Sequence, residues 1–108
     1  MKKIVDSFAK NGTIFVDFYD IKKDIKTRTS ADIYVATSLE NRYYFIVKLN
    51  KKSAIYSKDF QMLKELENKA AKLCEHNFRY RYLLVDFKLT KQSKEKLKQL
   101  RWRYHDSV

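Results

Sequence analysis

The chain has 108 residues and carries 24 Lys or Arg against 13 Asp or Glu, a formal net charge of +11. Hydrophobic residues at 44% and aromatics at 15% exclude a disordered chain; the length sets the expectation of one domain over 1–108, and no run approaches the ~20 apolar residues of a membrane span. The single cysteine, Cys74, excludes an internal disulfide, and the N-terminus "MKKIVDSFAKNG" has neither the apolar stretch nor the cleavage site of a signal peptide, so a cytoplasmic setting is expected.

Gly12 is the only glycine and proline is absent, so turns must be built from Asn, Asp, Ser and Lys. Residues 1–10 fit a short helix with Ile4, Val5 and Phe8 on one side. "TIFVDFYDI", 13–21, is rich in β-branched and aromatic residues and reads as a strand. A basic loop, "KKDIKTRTS", follows. "DIYVAT", 32–37, the turn "SLEN" and "RYYFIVKL", 42–49, read as a hairpin of the second and third strands. The period then changes. Phe60, Leu63, Leu66, Ala70 and Leu73 recur at helical spacing over 58–74, with Ser57 as N-cap and Asp59 at the positive end of the helix dipole. "RYRYLLVDFKL", 79–89, reads as a fourth strand. "SKEKLKQLRWRY", 93–104, reads as a final helix with Leu97, Leu100 and Tyr104 inward. The helix over 58–74 is long enough to act as a crossover, so strands three and four are expected to be parallel, with a right-handed connection and strand three central. The fold class is α/β.

So large a positive excess on a small domain favours a polyanionic partner, nucleic acid first, with an anionic membrane or an acidic protein behind it. A lysine-rich composition with no polyanionic partner is the plain alternative. The basic residues fall in clusters: Lys22, Lys23, Lys26 and Arg28 in the first loop, Lys51 and Lys52 after strand three, and Lys91, Lys94, Lys98, Arg101 and Arg103 near the C-terminus. Alternation puts Tyr44, Ile46 and Lys48 on one face of strand three and Tyr43, Phe45, Val47 and Leu49 on the other. The hairpin then brings Asp32, at the head of strand two, near Ile46 and Lys48. A carboxylate and a lysine at one end of a sheet suit phosphodiester chemistry. Carboxylates hold a metal that polarises the phosphate and activates water, and a lysine stabilises the developing charge.

The run "ADIYVA", a turn, "YYFIVKLNKKSAIYSKDFQMLKEL" and then "RYLLVDFK", over roughly 31–88, resembles the restriction-endonuclease-like nuclease superfamily, and within it the archaeal Holliday-junction resolvase branch. The resemblance implies a restriction-endonuclease-like core: a mixed four-stranded sheet flanked by helices in the order αβββαβ, with the C-terminal helix appended. It also implies DNA as substrate, Mg²⁺ as cofactor and a homodimer. It assigns Asp32 as the strand-two metal ligand, Lys48 as the catalytic lysine, and Asp6 as the acid carried on the first helix. The family's second metal-binding acid falls at Ile46, which cannot ligate. Some branches move this acid to the following helix, where Asp59 and Glu65 stand. The expected function is nucleic-acid binding with metal-dependent endonuclease activity. The alternative, favoured by Ile46, is a catalytically inactive fold relative serving as a DNA- or RNA-binding or assembly subunit. A basic RNA-binding module without nuclease ancestry is the third reading.

Each residue also has a simpler role open to it. Asp32 suits a strand-opening turn, Lys48 a solvated strand end, and Asp59 the first turn of a helix. Asp86 and Lys88, in "VDFK", form acid–x–lysine in a second register, but no further strand is expected after it. His76 and His105 lack zinc-site spacing; with Tyr80 or Tyr104 they are candidates for acid–base work in a metal-free ribonuclease. Tyr43, Tyr44, Tyr80, Tyr82 and Trp102 suit a half-buried sheet, or base stacking where exposed. Lys22, Lys23, Lys26, Arg28, Lys51 and Lys52 flank the Asp32–Lys48 end and suit a phosphate track.

Overall fold

A computed structural model describes residues 2–10, 12–25, 31–50, 55–75 and 78–105. The elements are α1 (Lys2–Lys10), β1 (Phe15–Asp20), β2 (Asp32–Ser38), β3 (Tyr43–Lys48), α2 (Ser57–Cys74), β4 (Tyr80–Leu84), α3 (Lys91–Gln99) and β5 (Arg103–His105). One sheet joins the strands in the order β1-β2-β3-β4-β5. The β1–β2 and β2–β3 pairs are antiparallel, and the β3–β4 and β4–β5 pairs are parallel. The protein is therefore α/β with a mixed five-stranded sheet, β3 at its centre and α2 connecting two parallel neighbours. No helix among the described residues is long and apolar enough to cross a membrane.

The register sorts the side chains onto two faces. One face carries Ile33, Phe45, Val47 and Leu83, and Leu63, Leu66 and Ala70 of α2 and Leu97 of α3 pack against it, with Trp102 beside them. The other face carries Tyr34, Ala36, Tyr44, Ile46 and Leu84, covered by Ile4 and Phe8 of α1. A bulge in β1 between Phe15 and Asp17 matters here. In a regular strand Phe15 and Phe18 would face opposite ways. The extra residue lets both rings join the α1 face, 5.7 Å apart.

Three expectations are corrected. The sheet has five strands, not four, because the last helix does not run to Tyr104. Arg101 adopts a left-handed conformation, φ 62, and the Trp102 N–H closes the helix end onto the Leu97 carbonyl at 2.8 Å. Leu100 is 38% exposed rather than inward. Alternation wins over helical spacing: Trp102 enters the core, and the chain then pairs with β4 as β5. Secondly, β4 stops at Leu84 rather than reaching residue 89. The Val85 N–H still donates to the His105 carbonyl at 3.1 Å, but Asp86 and Lys88 leave the sheet exposed. The acid–x–lysine of the second register is therefore not on a strand. Thirdly, the N-cap of α2 is Tyr56, not Ser57. The Asp59 carboxylate reaches back to accept from the Tyr56 N–H at 2.8 Å.

Arg81, on the α2 side of β4, ties the layers together. It forms an ion pair with Glu67 of α2 and donates from Nη1 to the Leu100 carbonyl at the end of α3, 3.2 Å away. Burial pushes the Glu67 carboxyl up, against the pull of Arg81. Arg81→Met leaves a half-buried acid and a helix-end carbonyl without their donor, and should cost about 2–4 kcal/mol, read from urea unfolding. Glu67→Gln keeps an acceptor for Arg81 and should cost less than half as much. Equal losses, or no loss, would contradict this role for Arg81.

Candidate functional site

The hairpin does what its sequence implies. Asp32 and Lys48 are direct cross-strand partners, with Tyr34 opposite Ile46 one alternate rung along. All four are on the α1 face. Both Asp32 and Lys48 are half-buried. The Asn50 amide donates to Asp32 Oδ2 at 3.3 Å. Burial, reinforced by the carboxylates of Asp32 and Asp20, pushes the Tyr34 hydroxyl above its usual value of 10.0. The turn after β1, which carries Lys22 and Lys23, lies at this same sheet end, because Ile21 bonds to the Ile33 carbonyl. Lys23 is exposed and Lys22 half-buried. Lys26, Arg28, Lys51 and Lys52 lie outside the described residues, as does His76.

The other acids expected at the site do not converge on Asp32. Ile46 is 0% exposed and packs in the α1-face cluster, with Tyr34 and Tyr82 as its lateral neighbours. Asp59 is buried at 5% exposure, on the helix that covers the other face. Its carboxylate is engaged in its own helix start. Glu65 is exposed on α2, and Asp6 is exposed on α1. A divalent cation needs several oxygen ligands converging on one point. Among the described residues no group of three or more His, Cys, Asp or Glu could hold a metal. These residues do not fit a catalytic cation, and no hydrolytic step is assigned to them.

The opposite end of the α1 face holds a second constellation. There Tyr44 stacks on Tyr80, centroids 4.9 Å apart and planes at 16°, and on Tyr82 at 5.8 Å. The Arg42 guanidinium lies over the Tyr80 ring at 5.6 Å, and that of Arg103 over the same ring at 5.2 Å. Arg103 Nη1 donates to the Tyr82 hydroxyl at 3.4 Å. Arg42 pairs with Glu40 at 3.3 Å, both groups being mostly exposed. These residues line a cleft of about 430 Å³, together with Thr13 and Ile14 of the α1–β1 connection, Ser38 at the end of β2 and Leu39 of the β2–β3 turn.

The sequence carries a signal for this cleft that spacing arguments pass over. Arginine and aromatic residues are interleaved in three stretches, "RYY", "RYRY" and "RWRY". Each lies at the beginning of a strand: β3, β4 and β5. Because these three strands are parallel neighbours, their beginnings lie side by side.

His105 closes this face. Its ring stacks on Phe8 at 5.1 Å and meets Tyr82 edge-on at 5.3 Å. Burial holds its pKa below the usual 6.5. It packs at the edge of the cluster, and its expected acid–base partner His76 lies outside the described residues. The sequence matches no protein-family model, and neither curated proteins nor solved structures give a match.

Two measurements test these assignments. Ile46→Glu would bury a carboxylate among aromatic rings, and should lower stability by more than about 3 kcal/mol at neutral pH, against about 1 kcal/mol for Ile46→Val. A fully stable Ile46→Glu variant would mean that the position is open to a ligand after all. For His105 the folded pKa lies below the unfolded one, so unfolding takes up a proton once the pH falls below about 6.5. Stability from this group is therefore present above that pH and lost as the pH drops through the folded pKa. His105→Phe should flatten the unfolding midpoint over that acidic window, relative to the parent; an unchanged pH profile would contradict the burial of the ring.

Proposed function

We propose that the chain is a nucleic-acid-binding domain, a non-catalytic relative of the restriction-endonuclease-like nucleases. The order helix, three strands, helix, parallel strand supports the kinship. The observation that carries the loss of catalysis is Ile46, sealed in the core where such enzymes have their second metal ligand. The substitute acids give no help: Asp59 is tied to the start of its helix, and Glu65 and Asp6 are exposed on α2 and α1. What remains of the site, Asp32 beside Lys48, is held as an ordinary cross-strand pair.

The excess of 24 basic over 13 acidic residues supports a polyanionic partner. It is spread to both ends of the sheet, with Lys48 and the turn carrying Lys22 and Lys23 at one and Arg42 and Arg103 at the other. Affinity from such a surface comes largely from counterions released on phosphate contact.

Incubation of the full chain with supercoiled, single-stranded and branched DNA and with single-stranded RNA tests both parts. Retarded complexes should form at ~50 mM salt and weaken roughly tenfold or more by ~200 mM. No new cleavage product should appear in Mg²⁺, in Mn²⁺ or in EDTA. Metal-dependent cleavage that is lost in Asp32→Ala and Lys48→Ala would overturn the non-catalytic reading. Absence of any complex at low salt would overturn nucleic-acid binding itself.

A further inference from the structure

We propose that the tyrosine–arginine cleft at the beginnings of β3, β4 and β5 seats one nucleotide of a single-stranded nucleic acid, with its phosphate held between Arg42 and Arg103. This rests on the nucleic-acid reading above and names the place and the strand form.

The argument starts from the two guanidiniums. Both lie over one ring, that of Tyr80, at 5.6 Å and 5.2 Å. Stacking on a ring fixes the plane of a guanidinium and leaves its N–H edge free for an anion. Bringing two cations to one ring carries a repulsion that an anion between them relieves. Arg103 has a hydroxyl, that of Tyr82, rather than a carboxylate as its hydrogen-bond partner among the described residues. Arg42 has Glu40, but that pair is 52% and 67% exposed, and an exposed pair is weak enough to be exchanged for a phosphate. Arginine is the residue whose fork matches two phosphate oxygens.

The cleft explains the strand form. Its volume, about 430 Å³, is that of a pocket for one small molecule. Half-buried Tyr80 and Tyr82, with Tyr44 buried beside them, form its aromatic side, and half-buried Thr13 brings a hydroxyl to the lining, whereas Ser38 is buried with its Oγ accepting from the Arg42 N–H. A nucleotide whose base is unstacked can bring its base against the aromatic side and its sugar against the Thr13 hydroxyl. A duplex keeps its bases stacked inside and can offer only its outer phosphates. The cleft is therefore specific for single strands, while the lysines at the other end of the sheet attract either form.

The test is fluorescence anisotropy of the full chain with a labelled oligothymidylate 12-mer and with a labelled hairpin duplex, at ~50 mM salt. Arg42→Gln and Arg103→Gln are both at exposed positions, and thermal melts should show them as stable as the parent. Each should weaken single-strand binding about tenfold, since a charge-assisted contact is removed. The double variant should lower the salt slope by roughly one to two units. Duplex binding should change less than threefold. Lys22→Gln with Lys23→Gln serves as the control and should weaken both forms alike. Thymidine 5′-monophosphate should displace the 12-mer where equimolar thymidine or inorganic phosphate does not. If the parent binds and the arginine variants bind equally well, the cleft is not the site, while nucleic-acid binding stands. If the parent prefers duplex, or inorganic phosphate competes as well as the nucleotide, the single-strand seat is wrong. If the parent binds neither probe, the nucleic-acid reading and the seat both fall.

Discussion

A nine-residue helix has to cover one face of a five-stranded sheet. At about 1.5 Å per residue α1 is roughly 13 Å long, while five strands at about 4.8 Å spacing are roughly 19 Å across. Helix α1 meets the sheet through Ile4 and Phe8, and rings supply the rest of the cover. Phe15, Phe18, Tyr34, Tyr44, Tyr80, Tyr82 and His105 extend the apolar layer outward from Phe8. The bulge in β1 that turns both Phe15 and Phe18 inward belongs to this solution. So does the burial of Ile46, which lies in the same cluster beneath them. An acid there would lose its hydration without gaining a partner, so the cover of this face excludes a carboxylate at position 46.

The same shortage of helix produces the cleft. Tyrosines suit the margin of an incomplete layer, because each offers an apolar ring inward and a hydroxyl outward. At the beginnings of β3 and β4 that margin is Tyr44 and Tyr80, and the guanidiniums of Arg42 and Arg103, from segments distant in sequence from Tyr80, lie over its ring. The other face is covered differently. There α2 and α3 together cover the sheet, and the residues between them, Arg81 and Glu67, serve the packing of the layers. On the α1 face, the groups open to a ligand among the described residues gather at its two ends.

Much of the architecture was legible because local signals agreed. The hairpin over β2 and β3, the α2 periodicity and the parallel crossover each followed from apolar spacing that tertiary packing respects. The pairing of Asp32 with Lys48 followed from the hairpin alone. The C-terminal region misled because Leu97, Leu100 and Tyr104 satisfy helical spacing by coincidence. The reversal rests on a left-handed Arg101, and in a chain with a single glycine nothing in the sequence marks such a residue. The role of Asp59 was half visible. Its place in the first turn of α2 was legible, but its return to the Tyr56 N–H depends on the backbone geometry of the cap. The cleft is the least local feature, because it is assembled from three strand beginnings distant in sequence. Only the parallel order of β3, β4 and β5 brings Arg42, Tyr80 and Arg103 together.

On the reading proposed above, the α1 face binds nucleic acid at its tyrosine–arginine end and holds no metal at its aspartate–lysine end. Amide and arginine-side-chain NMR spectra of the ¹⁵N-labelled chain, titrated first with Mg²⁺ and then with an oligothymidylate 12-mer, test it most directly. Mg²⁺ should leave the Asp32, Ile46 and Lys48 amides unshifted, and the oligonucleotide should move Arg42, Tyr44, Tyr80 and Arg103, including the two guanidinium N–H signals. Saturable Mg²⁺ shifts at Asp32 and Lys48, with the oligonucleotide then moving those residues instead of the arginines, would contradict it.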